Sequence, residues 1–200
     1  MNSALAEKWE APEEQGDQRL RLYGVTWAQY ETIRGALDDR PGLRMFYLEG
    51  HLEIVSPSVT HENVKKTIAR LLEIYFLEKD LELIGYGSTT FKAEAKQRGL
   101  EPDECYCFGL LKEVPEIAIE VVVSSGGIDK LAIYGGLGIL EVWFWEKGRF
   151  SLYRLRETGY EKLERSEFLP EIDFTLLEDY LHWPNQHQAV KAFQTALRRG

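Results

Sequence analysis

The sequence predicts an α/β domain in which a central mixed β-sheet is flanked by helices. Three observations carry this prediction. Residues 116–123 (EIAIEVVV) are almost continuously apolar, as is typical of a central strand that is covered on both faces. The aromatic-rich segments 139–145 and 149–155 flank a Lys-Gly pair and predict a hairpin. From Thr60 onward, apolar residues recur at helical spacing and predict a long amphipathic helix.

The N-terminal region is predicted to begin with an arm, followed by a helix. Residues 1–20 are charged and poor in apolar residues, so we expect a loose arm there and a single domain over residues 21–200. Thr26 and Gln29 have the spacing of a capping box, which predicts a helix from this point to about Leu37.

The remaining elements follow from turn residues that separate apolar segments. Strands are predicted at residues 44–48, 52–55, 81–86, 89–95, 103–108 and 160–163. Further helices are predicted at residues 128–137, 174–181 and 186–198, with Pro184 between the last two.

The composition is that of a folded globular protein, with 44% hydrophobic and 12% aromatic residues. No apolar run approaches the roughly 20 residues that a membrane-spanning helix needs, and the acidic N-terminus is unlike a secretory signal. Cys105 and Cys107 would face the same side of a strand and could not readily bridge each other. We therefore expect no membrane partner and a cytoplasmic, reducing location.

The charge balance counts against a nucleic-acid partner. The chain has 24 basic and 33 acidic residues and a formal charge of −9. Proteins that bind nucleic acid usually present a basic face. A local basic groove can nevertheless lie on an acidic body, so the balance does not exclude such a partner.

Glu120 is the first candidate for chemistry because it lies inside the most apolar predicted strand. An ionised carboxylate buried there without a partner would be costly, so it would need a cation, a hydrogen-bond network or a metal. The alternative is that strand alternation turns Glu120 towards solvent, where glutamate usually lies.

Asp103 and Lys130 extend this candidate site. Asp103 begins the predicted strand before that of Glu120, and adjacent strands can bring two carboxylates within reach of one divalent ion. Lys130 lies in the first turn of the next helix, where the helix dipole disfavours a positive charge. A lysine near two carboxylates and a metal can orient a water or stabilise a developing phosphorane. Alternatively, Pro102-Asp103 is an ordinary turn dipeptide and Lys130 is a solvated surface residue.

Two further acidic residues are candidates for the same site. Glu53 lies on the predicted strand 52–55, and Glu62 lies in the first turn of the long helix, where the dipole favours a carboxylate without any function. The sequence leaves open which of the two is the additional acidic residue. We expect the neighbouring His61 to be a cap or a surface residue rather than a base.

Pro102-Asp103, a glutamate in an apolar strand and a later lysine together resemble the PD-(D/E)xK nuclease superfamily. More closely, the chain is similar to the Uma2 family of restriction-endonuclease-like proteins. The similarity covers roughly residues 45–155. The stretches that carry it are residues 50–58 with His61, 101–103, 116–122 and 134–143.

The resemblance implies a restriction-endonuclease-like fold and an endonuclease that hydrolyses phosphodiester bonds of nucleic acid, DNA in particular. It implies Mg²⁺ as the cofactor, with Mn²⁺ as a substitute. By the same resemblance, Asp103 and Glu120 bind the metal, Glu53 is a third acidic group near it, and Lys130 is the catalytic lysine.

The chain departs from the superfamily pattern at two places. Val122 stands where the superfamily has its lysine, so Lys130 must reach the site from the following helix. Residues 124–127 read Ser-Ser-Gly-Gly in place of the Ser-Pro-Ser-Thr turn that is common in the family. Two glycines make this backbone more pliable, which affects where Lys130 is held.

A second hypothesis is a non-catalytic relative that kept the fold as a binding or assembly module. The acidic balance and the lack of a basic patch interleaved with aromatic residues favour it. The aromatic run 143–145 would then serve a homodimer interface instead of a core. Convergence of Asp103, Glu120 and Lys130 distinguishes the two hypotheses, and a homodimer is plausible under either.

Overall fold

The computed structural model describes residues 16–37, 42–87, 89–123 and 127–199. Within these residues the strands are β1 (Gln18–Tyr23), β2 (Arg44–Leu48), β3 (His51–Ser56), β4 (Leu83–Gly85), β5 (Phe91–Ala93), β6 (Arg98–Leu100), β7 (Glu104–Phe108), β8 (Ile117–Val122), β9 (Glu141–Glu146), β10 (Arg149–Arg156) and β11 (Gly159–Leu163). The α-helices are α1 (Trp27–Leu37), α2 (Val59–Glu78), α3 (Lys130–Leu137), α4 (Phe174–Leu181) and α5 (Gln186–Leu197).

The strands form two sheets. The five-stranded sheet has the order β1-β3-β2-β6-β5, and every pair in it is antiparallel. The six-stranded sheet has the order β11-β10-β9-β8-β7-β4, and its β8–β9 pair is parallel. Because parallel neighbours need a crossover connection, α3 lies between β8 and β9 in the chain.

Helices cover one face of the six-stranded sheet. Ile68 and Leu72 of α2 pack with Ile119 of β8 and Trp143 of β9 in the largest core cluster. Helices α4 and α5 contact α2 and complete this layer. The strand β8 is buried along almost its whole length, because its second face is covered as well.

The second face of β8 meets the five-stranded sheet through α3. Ala118 of β8, Phe46 of β2 and Val55 of β3 share one core cluster with Ile133 and Tyr134 of α3. The opposite face of the five-stranded sheet packs against α1. The layers therefore run from α1 through the first sheet, α3 and the second sheet to α2, α4 and α5.

The predicted fold class is confirmed, since the six-stranded sheet is mixed and helices flank it. Thr26 and Gln29 form the predicted capping box through reciprocal hydrogen bonds. The five-stranded sheet was not predicted as a separate sheet. It includes β6, for which no strand was predicted, and β1, because residues 18–20 had been assigned to the arm. Residues 1–15 of that arm lie outside the described residues.

Two further expectations concern individual side chains, and one concerns the helices. Trp143 and Trp145 are buried in the core, which removes the support they gave to a dimer interface. Cys105 and Cys107 are buried and unbridged, as predicted, and burial raises the pKa of the Cys105 thiol to about 12. No helix in the described part of the chain is long and apolar enough to span a bilayer.

Candidate active site

The predicted site residues lie where the inner faces of the two sheets meet. Strand register places Glu53 opposite both Phe46 and Arg21, and directly opposite side chains share a face. Phe46 belongs to the core between the sheets, so Arg21 and Glu53 lie on that inner face too. Glu120 shares the inner face of β8 with Ala118, because the two are separated by one residue of a strand.

Asp103 is buried immediately before β7, with 1% of its surface exposed. Its Oδ2 accepts a hydrogen bond of 2.6 Å from the backbone N–H of Val121. Its Oδ1 contacts the guanidinium of Arg44, and Nε2 of His61 lies 2.9 Å away. Both carboxylate oxygens are thus held by protein donors, and the backbone contact fixes Asp103 beside Glu120.

His61 is buried, so the expectation of a cap or surface residue is wrong. The N-cap of α2 is Ser58, and the His61 ring lies between two carboxylates. Its Nδ1 is 3.0 Å from Oδ2 of Asp17, while Nε2 faces Asp103. Imidazole can donate to both carboxylates at once in its doubly protonated form.

Asp17, just before β1, contacts the ring nitrogen of His61 that does not face Asp103. Burial alone would raise the pKa of Asp17. Hydrogen bonds from His61 and from the backbone N–H of Ser58 outweigh burial and lower that pKa to about 2. Asp17 is therefore ionised at neutral pH. Its hydrogen bond with Nδ1 of His61 orients the ring so that Nε2 faces Asp103.

Glu120 is fully buried, which excludes the alternative that it faces solvent. Lys130 donates through Nζ to Oε2 of Glu120, and the hydroxyl of Tyr134 donates to Oε1. Lys130 and Tyr134 are one helical turn apart and so lie on the same side of α3. Burial and the charge of Glu120 raise the pKa of Tyr134 well above its usual value, which keeps this hydroxyl a donor.

The lysine reaches Glu120 from α3 instead of from β8. Val122, at the superfamily's lysine position, shares a strand face with Glu120 and lines the same cleft as Lys130. The Lys130 ammonium also lies 4.1 Å from the centroid of the Phe46 ring, within the range of a cation–π interaction. The helix therefore supplies an ammonium to the face of β8 on which residue 122 lies.

Glu53 is held by a separate pair of arginines on β1. Nε of Arg21 donates to Oε2 at 2.7 Å, and Nη1 of Arg19 lies 3.6 Å from Oε1. The backbone at Gly127 packs against the Arg19 and Glu53 side chains. A Cβ at Gly127 would lie 2.9 Å from Nη1 of Arg19 and 2.9 Å from Oε1 of Glu53, so a side chain there would displace the ends of these two side chains.

Glu62, the alternative to Glu53, has an exposed side chain that pairs with Arg44 at 2.9 Å and Lys65 at 3.4 Å. Glu53 is buried and borders the same cleft as Lys130. Its position favours Glu53 over Glu62 as the additional acidic residue of the site.

The predicted residues converge in part. Lys130 contacts Glu120, and Asp103 binds the backbone next to Glu120. Glu53 lies across the cleft with its own arginines. Among the described residues, no group of three or more His, Cys, Asp or Glu side chains is arranged to hold a metal ion.

The donor types nevertheless fit a hard divalent cation. Asp103 and Glu120 offer buried carboxylate oxygens, which Mg²⁺ and Mn²⁺ prefer as ligands. Those oxygens contact Arg44 and Lys130. A metal ion would have to replace the ammonium and guanidinium contacts, so binding requires these two side chains to move.

The sequence analysis missed several residues that complete the site. Tyr134 had a usable signal, because it stands four residues after Lys130 on the predicted helix. Arg44 and Asp17 had none, since their contacts with Asp103 and His61 join segments that are distant in the chain.

The layered α/β fold, with carboxylates and a lysine gathered beside one central strand, defines a restriction-endonuclease-like protein. Residues 27–184 match the model of the Uma2 family, which is described as "putative restriction endonuclease". This match spans most of the chain, so the chain belongs to the Uma2 family. No curated protein matches it at a significant level. The strand β1 precedes the matched residues.

Proposed function

We propose that the chain is a metal-dependent endonuclease that hydrolyses phosphodiester bonds of DNA. Asp103, Glu120 and Lys130 form its active site, Glu53 is the additional acidic group, and Mg²⁺ or Mn²⁺ is the cofactor. The observation that carries this proposal is the contact between Lys130 and the fully buried Glu120. Membership of the Uma2 family supports it.

Asp103 and Glu120 would hold the metal, which lowers the pKa of a bound water and stabilises negative charge on phosphate. Asp103 is kept in place by the N–H of Val121 and by His61. Tyr134 fixes one oxygen of Glu120. Lys130 would supply the positive charge that acts on the phosphate or the water. Its side chain is 16% exposed, and its ammonium can turn from Glu120 to a phosphate oxygen or a water.

The primary test is nicking of supercoiled plasmid in Mg²⁺ or Mn²⁺, with EDTA as the blank. Wild type is expected to nick the plasmid in either metal. Asp103→Asn and Lys130→Ala are expected to lose the activity, while Lys147→Ala, at an exposed lysine outside the site, keeps it. No cleavage of plasmid, single-stranded DNA or RNA in either metal would contradict the proposal.

A specific observation favours a second candidate, a non-catalytic binding module of the same fold. All four carboxylate oxygens of Asp103 and Glu120 have protein donors, as a purely structural network would require. This candidate predicts no divalent-ion binding by calorimetry. The proposal also includes a cytoplasmic location and a homodimer, and light scattering of the purified chain tests the dimer.

A further inference from the structure

The strand β1 presents a row of cationic and aromatic side chains. Arg19, Arg21 and Tyr23 alternate with Leu20 and Leu22, so they share one face of the strand. No acidic residue occurs within β1. The sequence, with its acidic composition, had not led us to expect a surface that combines basic and aromatic side chains. The row on β1 is such a surface.

The row ends in a pair of aromatic rings. Tyr23 lies opposite His51 of β3, and the two rings contact edge to face with centroids 5.2 Å apart. Tyr23 is 71% exposed, which is unusual for so large an apolar surface. Its ring is therefore accessible to a flat partner from solvent.

The same row borders a cleft that leads towards Lys130. A cavity of about 220 Å³ is lined by Arg21, Tyr23, His51 and Glu53. A neighbouring cavity of about 260 Å³ shares Glu53 and the segment 127–129 with the first, and Lys130 lines it. The two cavities share lining residues and lie side by side between the Tyr23 ring and Lys130, and we refer to them together as the groove.

The groove presents two guanidinium groups at β1. Arg19 and Arg21 both lie against the carboxylate of Glu53. The Arg21 side chain is 44% exposed and can contact a ligand while its Nε holds Glu53. Among the described residues that line the groove, Asp129 is the one acidic residue besides Glu53. Its carboxylate caps α3 by accepting a hydrogen bond from the backbone N–H of Ala132.

We propose that this groove binds a single-stranded segment of nucleic acid and guides it to Lys130. Tyr23 stacks on an unpaired base, and Arg21 and Arg19 contact the phosphates that follow it. Stacking on an exposed ring needs a base whose face is open, which a duplex does not offer along its length. The inference rests on the proposed nuclease function and specifies its substrate as single-stranded or locally unpaired.

Fluorescence anisotropy with labelled oligo-dT and with a duplex of the same length, both in EDTA, tests the groove without cleavage. We expect wild type to bind the single strand about tenfold more tightly than the duplex. Tyr23→Ala should weaken single-strand binding about tenfold and leave duplex binding unchanged, while Tyr23→Phe keeps the affinity. Arg21→Ala should weaken both and reduce the salt slope by about one.

Arg70→Ala is the matched control, because Arg70 is an exposed arginine on α2 that bonds Gln186 outside the groove. It should bind as wild type, and Arg70→Ala and both Tyr23 variants should keep the wild-type melting temperature within a few degrees. Arg21→Ala should melt at a lower temperature, because the buried Glu53 loses its hydrogen-bonded cation, so its binding is measured well below that temperature. Wild-type affinity in both Tyr23→Ala and Arg21→Ala would overturn the groove while leaving the nuclease proposal standing. Equal or tighter binding of the duplex would overturn the single-strand assignment. A wild type that binds neither oligonucleotide would overturn both proposals.

Discussion

Glu120 and Glu141 are two fully buried carboxylates on adjacent strands of one sheet, yet their hydrogen-bond donors differ in kind. Glu141 accepts hydrogen bonds from Ser166 Oγ at 2.7 Å, from the Glu167 backbone N–H at 2.8 Å and from the Trp143 indole at 2.9 Å. Its one cationic neighbour among the described residues, Arg154, lies 4.0 Å away and donates no hydrogen bond to it. Glu120 is held by the Lys130 ammonium and the Tyr134 hydroxyl.

The two carboxylates differ in whether their hydrogen-bond donors can move away while the protein stays folded. The donors to Glu141 belong to a loop and to the sheet core, so the contacts cannot open without local unfolding. Lys130 ends a flexible four-carbon chain and is partly exposed, so Glu120 can exchange this partner for another cation. A carboxylate that can change its partner suits a metal site, whereas one locked by loop donors suits a structural role.

The largest effect expected from this comparison is the contrast between Glu120→Gln and Glu141→Gln. Glu120→Gln should lower the plasmid nicking rate by about 10²–10³-fold, because it removes a carboxylate that we propose as a metal ligand. Glu141→Gln should leave that rate within a few fold and lower the free energy of unfolding by about 2–3 kcal/mol, since its amide group would face N–H donors. Nicking assays and urea unfolding measure the two quantities. Equal loss of cleavage in both variants would break the distinction.

Lys130→Met sharpens the comparison by removing the mobile partner. Nicking should fall about 10²-fold. Affinity for Mn²⁺ should rise, because the ammonium no longer competes for Oε2 of Glu120. Calorimetric titration of Mn²⁺ measures this affinity, with Lys147→Met as the surface control. A lower Mn²⁺ affinity in Lys130→Met would show that the lysine assists the metal instead of competing with it.

Tyr134→Phe tests the second partner of Glu120 and has a matched control in Tyr160→Phe. The Tyr160 hydroxyl donates to the backbone carbonyl of Ile139 at 2.6 Å, away from the site. Each variant should lose about 1 kcal/mol of unfolding free energy with one hydrogen bond. Tyr134→Phe should in addition slow nicking about fivefold, because Glu120 is less well fixed. The same nicking rate in both variants would argue against a positioning role for Tyr134.

The contrast between these two glutamates also shows which features of the site could be predicted from the sequence and which could not. The apolar strand around Glu120 indicated that this carboxylate, if buried, would need a cation, a hydrogen-bond network or a metal, and it left open that Glu120 faces solvent. Glu141 was not singled out, although it also lies in an apolar segment, and its donors at residues 166–167 belong to a loop with no periodic signal. Local periodicity therefore predicted β8 and α3, and it could not predict contacts that depend on tertiary packing.

The first sheet illustrates the same limit. The β2–β3 hairpin was predicted from its turn, whereas β1 and β6 pair with strands that are distant in the chain. Arg19 had been assigned to the charged arm, and Arg21 had been given no role. Their role became apparent when the register placed Arg21 opposite Glu53.

Asp17→Asn has the smallest expected effect, and the size of its effect on stability depends on pH. The pKa of Asp17 is lowered from 3.8 to about 2 in the folded protein, so its contribution to stability is complete above pH 4 and is lost as the pH falls towards 2. With allowance for solvent screening, this contribution is about 1 kcal/mol. The wild-type and Asp17→Asn melting temperatures should therefore differ by a few degrees at pH 7 and converge near pH 2. Nicking should fall no more than about threefold, because Asp17 acts on Asp103 through His61 and leaves the Lys130–Glu120 contact intact. A gap in melting temperature that persists at pH 2 would mean that the Asp17 charge does not stabilise the histidine contact.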